Sequence, residues 1–160
     1  MDDAVEEVFL RMLERRCAAA SQELNFRPDI SVRIGFSGAL EAQCVVEFLL
    51  TSAQRITQAF LGTKDTDWDE AMITDAVGEF CNMVAGGWKR RLGPPAWQAA
   101  LSVPSISHGP SRSIDPASAT LRRVYIFDDS PFVVSFIALK QNGAGLPAST
   151  PFKCGPSNLT

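Results

Sequence analysis

Histidine is nearly absent: His108 is the only one in 160 residues. The four cysteines, Cys17, Cys44, Cys81 and Cys154, are widely spaced and form no CxxC pair. A structural zinc needs about four Cys or His ligands grouped together, so no metal site is expected. Cys17, Cys44 and Cys81 read instead as small buried hydrophobes. Long apolar runs are missing too, since none reaches the ~18–20 residues that span a bilayer. The opening Met1-Asp2-Asp3 lacks the basic n-region and apolar core of a signal peptide, so a cytoplasmic protein with no membrane association is expected. Basic stripes are lacking in a chain of net charge −3 and pI 5.1, where Arg15-Arg16, Lys89-Arg90-Arg91 and Arg122-Arg123 are the only short clusters. Too few cations stand together to neutralise a run of phosphates, which argues against nucleic acid. Solvated faces explain these clusters at least as well as an anion site. No Gly-rich phosphate loop occurs, and Ser37 and Ser102 have no triad context.

What remains is the composition of an ordinary soluble globular domain, 46% hydrophobic and 21% charged. The length suits one domain, taken as residues 1–140, with a flexible Gly-, Pro-, Ser- and Thr-rich tail over 141–160. Residues 3–23 read as an amphipathic helix on the spacing of Val5, Val8, Phe9, Met12, Leu13, Cys17 and Ala20, with Asp3 and Glu6 as a capping box. Ile30–Phe36 alternates as a half-buried strand, and 41–50 follows as its hairpin partner with Cys44, Val46, Phe48 and Leu50 on one face. Thr51 with Gln54 is expected to cap a short helix that ends at Leu61 and Gly62, burying Ile56, Ala59 and Phe60. After a polar connection over 64–67, Asp67 and Glu70 signal a long helix over 68–92, stopped by Gly93-Pro94-Pro95. A third extended segment is expected within 97–106, cut by Pro104, then a loop over 107–118. A second hairpin, 121–127 with 132–139, turns at Asp128-Asp129-Ser130-Pro131, and its second strand is apolar enough to be covered on both faces. This order is that of an α+β fold, with helices packed on an antiparallel sheet.

The long helix carries the most informative chemistry, in the turn Glu79-Phe80-Cys81-Asn82. Residues three apart share a helix face, so a carboxylate and a carboxamide stand side by side. Asp75, Glu79, Asn82 and Gly86 fall on one face, while Ile73, Val77, Phe80, Val84 and Trp88 form the apolar stripe. Glu79 and Asn82 fit either a working site or a plain solvated face. Asp75 could extend an acidic patch or be an ordinary surface aspartate. Gly86 and Gly87 fit a smooth docking surface and close helix packing equally. His108 has no visible catalytic partner in the sequence, and Asp128-Asp129 suits a turn better than a metal.

The run Gly78-Glu79-Phe80-Cys81-Asn82-Met83-Val84-Ala85-Gly86, followed by Leu101-Ser102-Val103-Pro104-Ser105-Ile106-Ser107-His108-Gly109, resembles the CheX group of the CheC/CheX/FliY chemotaxis phosphatases. The segments Ile34-Gly35-Phe36-Ser37-Gly38 and Phe60-Leu61-Gly62 are similar to that family too, in the right order over about residues 4–140. One motif rather than two pseudo-repeated halves fits CheX better than CheC. The resemblance implies a CheC/CheX-like fold, a homodimer whose sheets join, and a phosphatase for the phosphoaspartate of a CheY-like response regulator. It implies Glu79 and Asn82 as the catalytic pair, with Asp75 and Gly86 beside them at the docking surface. No cofactor is expected in this chain; Mg2+ is expected on the receiver domain. The alternative is a catalytically inactive CheX-like module that docks on a regulator or flagellar motor component. Trp88, Pro94-Pro95 and the tail after Gln141 depart from the family's pattern, and Trp88 could either alter the docking face or pack in the core.

Overall fold

A computed structural model describes residues 1–12, 14–20, 27–62, 68–110 and 121–139. The chain runs through α1 (Asp2–Met12), β1 (Ala18–Ala19), β2 (Ile30–Ser37), β3 (Ala42–Phe48), α2 (Leu50–Leu61), α3 (Glu70–Arg91), α4 (Pro94–Trp97), β4 (Ala100–Leu101), β5 (Ser105–His108), β6 (Leu121–Phe127) and β7 (Ser130–Ala138). The strands form one sheet in the order β1-β6-β7-β3-β2-β4, with β5 also paired to β2. Every pairing is antiparallel, giving the expected α+β architecture.

Strand register sets which face becomes the core. Ile30 opposes Phe48, Val32 opposes Val46 and Ile34 opposes Cys44, while Cys44 opposes Phe136, Val46 opposes Val134 and Phe48 opposes Phe132. Alternate residues therefore line up across three strands, and α1, α2 and α3 add Val5, Phe9, Ile56, Val77 and Phe80 to the same cluster. Phe80 lies 5.4 Å from Phe9, 6.0 Å from Phe48 and 5.6 Å from Phe132, ring centre to centre. Trp88 packs edge-to-face on Phe136 at 4.2 Å, which assigns it to the core and not to the docking face. On the sheet's other face Val45, Val133 and Ile137 are buried as well, so β7 is covered on both sides as its composition predicts.

Several boundaries differ from the sequence reading. The first helix stops at Met12 instead of 23, and Cys17 and Ala20 lie beyond it. Glu14 takes a left-handed φ of 49°, and the Arg15 N–H returns to the Phe9 carbonyl at 3.2 Å. The chain then pairs with β6, Ala18 opposite Ile126, and Ala20 N–H donates to Val124 O at 2.9 Å. An open sheet edge thus satisfies backbone groups that a longer helix would have paired internally. Leu50 is not a strand residue. It opens α2, where its N–H donates to the Asp29 carboxylate at 2.7 Å, so the cap comes from across the fold instead of from Thr51 and Gln54. The buried side of α2 is Ser52, Ala53, Ile56 and Thr57, with Ala59 and Phe60 only partly covered. Its end at Gly62 is as expected, with φ 62°.

The long helix starts at Glu70, two residues later than expected. Asp69 caps it, accepting the Met72 N–H at 2.8 Å, whereas Asp67 lies outside the described residues. After Leu92, Gly93 turns at φ 89° and Pro94–Trp97 forms one further helical turn, so Trp97 is not extended. The third extended segment is two pieces, β4 and β5, and Ser107 and His108 belong to β5 because they pair with Ser31 and Ile30. The second hairpin turns on Asp128 and Asp129, both left-handed (φ 45° and 61°), and β7 begins at Ser130. Most of the expected loop 107–118, the connection 64–67, Cys154 and the tail 141–160 lie outside the described residues. Cys44 and Cys81 are buried and Cys17 partly so, and burial pushes the Cys17 thiol up to about 12. The Cys81 thiol is raised by its hydrogen bond with Cys44 and then by burial, so neither carries a reactive thiolate.

Candidate functional site

α3 is held by the sheet, by α1, by α2 and by β5. Its apolar stripe rests on the sheet through Val77, Phe80 and Val84. Another side meets α1, where a Cβ on Gly87 would lie 3.5 Å from the Ala4 Cβ. Arg91 locks the same contact, donating to the Glu7 carboxylate at 2.6 Å and to the Asp3 carbonyl at 3.1 Å. That hydrogen bond holds the Glu7 carboxyl below its ordinary range, so its stabilising share is present at neutral pH and is lost as pH falls through the depressed value. A further side meets β5 and the segment before it: a Cβ on Gly78 would lie 3.6 Å from Ile106 Cδ1 and 3.7 Å from Pro104 Cβ.

The remaining face is open, and it carries the residues singled out from the sequence. Asp75, Glu79 and Asn82 are exposed and Gly86 is partly so. Helical spacing puts Glu79 and Asn82 within one turn, with Asp75 one turn before Glu79 and Gly86 one turn after Asn82. Among the described residues, neither Glu79 nor Asn82 has a hydrogen-bond or ion-pair partner. The arrangement offers one fixed negative charge and one neutral donor–acceptor group, both free to engage something outside the chain.

The two adjacent glycines now separate. Gly87 is buried against α1, where an added Cβ would meet Ala4 at an ordinary contact distance. Gly86 has nothing nearer to its Cβ position than Arg90 Nη1, at 4.0 Å, so no packing among the described residues demands it. Gly86→Ala is therefore expected to stabilise the free protein by about 0.5–1 kcal/mol, read as a higher urea midpoint, because mid-helix glycine costs about that much relative to alanine. An unchanged or lower midpoint would show an internal role for Gly86.

His108 does have an acid partner, which the sequence did not reveal. Its Nε2 lies 2.9 Å from Glu70 Oε1, joining the end of β5 to the first turn of α3. Glu70 is twelve residues before Asn82, roughly 18 Å along the helix, so this pair is not part of the Glu79–Asn82 face. Ser102, which has no triad context, does structural work. Its hydroxyl accepts the Gly35 N–H at 2.9 Å and donates to the Val103 carbonyl at 3.0 Å, while its own N–H donates to Gly35 O at 2.9 Å. These bonds pin the Pro104 segment to β2, and with it the flank of the site. Serine followed two residues later by proline was the visible signal, but its partner lies 67 positions away. No group of three His, Cys, Asp or Glu side chains that could hold a metal ion occurs among the described residues. No helix there is long and apolar enough to cross a membrane.

An antiparallel sheet backed by one long helix, whose outer face shows an acid and an amide, defines a domain of the CheC/CheX-like class. The chain belongs to the CheX family: the family model described as chemotaxis phosphatase CheX matches residues 30–128, well over half of it. It is similar in fold to chemotaxis protein CheX of Vibrio vulnificus, with TM-score 0.69 and 22% identity over 84% of this chain and 93% of that one. The CheX of Desulfovibrio desulfuricans gives TM-score 0.66 and 23% identity over 86% and 95%. The match to the CheX–CheY–BeF3–Mg2+ complex from Borrelia burgdorferi has TM-score 0.65 and 16% identity over 86% and 94%. No curated protein matches the chain.

Proposed function

We propose that this protein hydrolyses the phosphoaspartate of a CheY-like receiver domain, with Asn82 orienting the attacking water and Glu79 docking on the receiver's active-site lysine. The observation that carries this reading is the pair of unpartnered side chains on the open face of α3, in a chain of the CheX family. The solved complex of a CheX with CheY supports the kind of partner.

Water attacks phosphorus, the bond from phosphorus to the aspartyl oxygen breaks, and inorganic phosphate and a free aspartate carboxylate leave. An acyl phosphate is already labile, so the reaction needs a well-placed water more than a new nucleophile. The Asn82 amide can accept a hydrogen bond from that water and donate one near the phosphoryl oxygens, without changing charge. Glu79 is anionic and would repel the phosphoryl group at close range. Pairing with a cationic lysine lets it set the docking register instead. Asp75, one turn away, adds negative charge on the same face. The metal ion and the lysine would come with the receiver domain, and two copies of this chain would act as a homodimer.

Phosphate release from phosphorylated receiver domains of the same organism tests the proposal. One receiver should lose phosphate faster with the protein than alone, and Glu79→Lys should weaken its complex at least tenfold. Rates equal to spontaneous loss for every receiver would refute hydrolysis. A complex that forms with no acceleration would make the protein a docking module.

A further inference from the structure

Two apolar side chains stand out in water beside the Asn82 face: Val103 is 82% exposed and Trp97 is 58% exposed. Scattered surface hydrophobics are common and need no explanation. These two are firmly held. Val103 sits between Ser102, which is bonded twice to Gly35, and Pro104, which lies against Gly78 one turn before Asn82. Trp97 is tethered by its indole N–H to the Arg90 carbonyl at 2.9 Å, and Arg90 is the side chain that reaches toward Gly86, one turn after Asn82. One apolar group therefore flanks the face at its Gly78 side and the other at its Arg90 end.

Scale decides whether one partner can reach both. Gly78 and Arg90 are twelve residues apart on α3, roughly 18 Å. A standard protein interface covers about 800 Å² on each partner, a patch close to 30 Å across. A protein domain that brings its phosphoryl group to Asn82 must then cover both flanks. The centre of such a contact is polar and acidic, through Asp75, Glu79 and Asn82, and so contributes register more than affinity. Rigidly mounted tryptophan is the residue type most often found to carry binding energy. The bare backbone at Gly86, which no packing among the described residues explains, lets the same partner approach closely between the two.

We propose that Trp97 and Val103 are the apolar anchors that hold the receiver domain on the Asn82 face. They set affinity while Asn82 performs the chemistry. This rests on the function proposed above, and it adds the surface that selects the partner.

The test measures binding of beryllofluoride-activated receiver domain, alongside KM and kcat for dephosphorylation, in Trp97→Ala, Trp97→Phe and Val103→Ser. Trp97→Ala should weaken binding and raise KM about tenfold, and Val103→Ser severalfold, with kcat at saturation within twofold of wild type. Trp97→Phe keeps the ring without the indole tether and should recover most of the affinity. Val103 makes no core contact to lose, so its variant should melt with the wild-type protein and stays informative if Trp97→Ala folds poorly. Unchanged affinity and KM in Val103→Ser and Trp97→Phe together with Trp97→Ala overturns the anchors, as does a fall in kcat at constant KM. A wild-type protein that binds no receiver overturns the anchors and the proposed function together. Weakened binding by the variants, in a wild type that binds without turnover, supports the anchors and removes only the hydrolytic role.

Discussion

Asn82→Ala should slow assisted loss of phosphate from the receiver by about 10²–10³, the usual effect of deleting one preorganised polar group at a reacting centre. Stability should barely move. Asn82 is exposed, has no hydrogen-bond partner among the described residues, and lies mid-helix, where alanine is the better helix former. Surface substitutions of this kind usually stay within about 0.5 kcal/mol. Receiver binding should hold as well, because the proposed docking register depends on the charge of Glu79 and not on Asn82. Single-turnover decay of phosphorylated receiver, with a urea melt of the same preparation, separates the two effects. A variant that dephosphorylates as fast as wild type would end the water-positioning role, whatever its stability.

The second large effect lies two residues earlier in the same turn and is of the opposite kind. Phe80→Ala should cost about 3–5 kcal/mol of unfolding free energy. Phe80 is fully buried and meets Phe9 of α1, Phe48 of β3 and Phe132 of β7, so its ring joins three elements to the helix that bears the site. Removing it leaves a cavity bounded by rings that are themselves fixed by other contacts: Phe9 by Phe127 at 4.7 Å and Phe132 by Tyr125 at 5.4 Å. Tyr125 is further anchored by its hydroxyl, which donates to the Asp2 carboxylate at 2.7 Å; burial first, and then that bond, raise its pKa. Such a lattice relaxes little, and the loss would take a large part of a domain's ordinary 5–15 kcal/mol. Denaturant unfolding measures it directly, and a loss under about 2 kcal/mol would mean that the ring cluster repacks. Two positions on one turn thus divide the work, Phe80 holding the helix and Asn82 facing outward.

The contrast explains what could be read from the chain and what could not. The long helix and its open face were legible because both rest on local rules. Apolar residues recur at helical spacing through Ile73, Val77, Phe80, Val84 and Trp88, and Gly93-Pro94 stops the helix. The two hairpins were legible from alternation and turn residues. What failed was wherever a distant group satisfied a local need. Asp29 caps α2 from 21 residues away, β6 takes the chain that would have prolonged α1, and Glu70 supplies the acid missing beside His108. A left-handed Glu14 was invisible for a related reason, since that conformation is disfavoured locally and survives only because the fold places the next residues on a sheet edge.

The sequence alone determined the α+β order, the core stripe of α3 and the shared face of Asp75, Glu79, Asn82 and Gly86, because helix and strand periodicities are properties of the backbone. Only the tertiary structure decided that Trp88 belongs to the core, that Gly87 lies against α1 while Gly86 does not, and that Val103 and Trp97 border the face. Those assignments depend on which element lies against each side of α3, and close packing between distant segments is not written in local spacing.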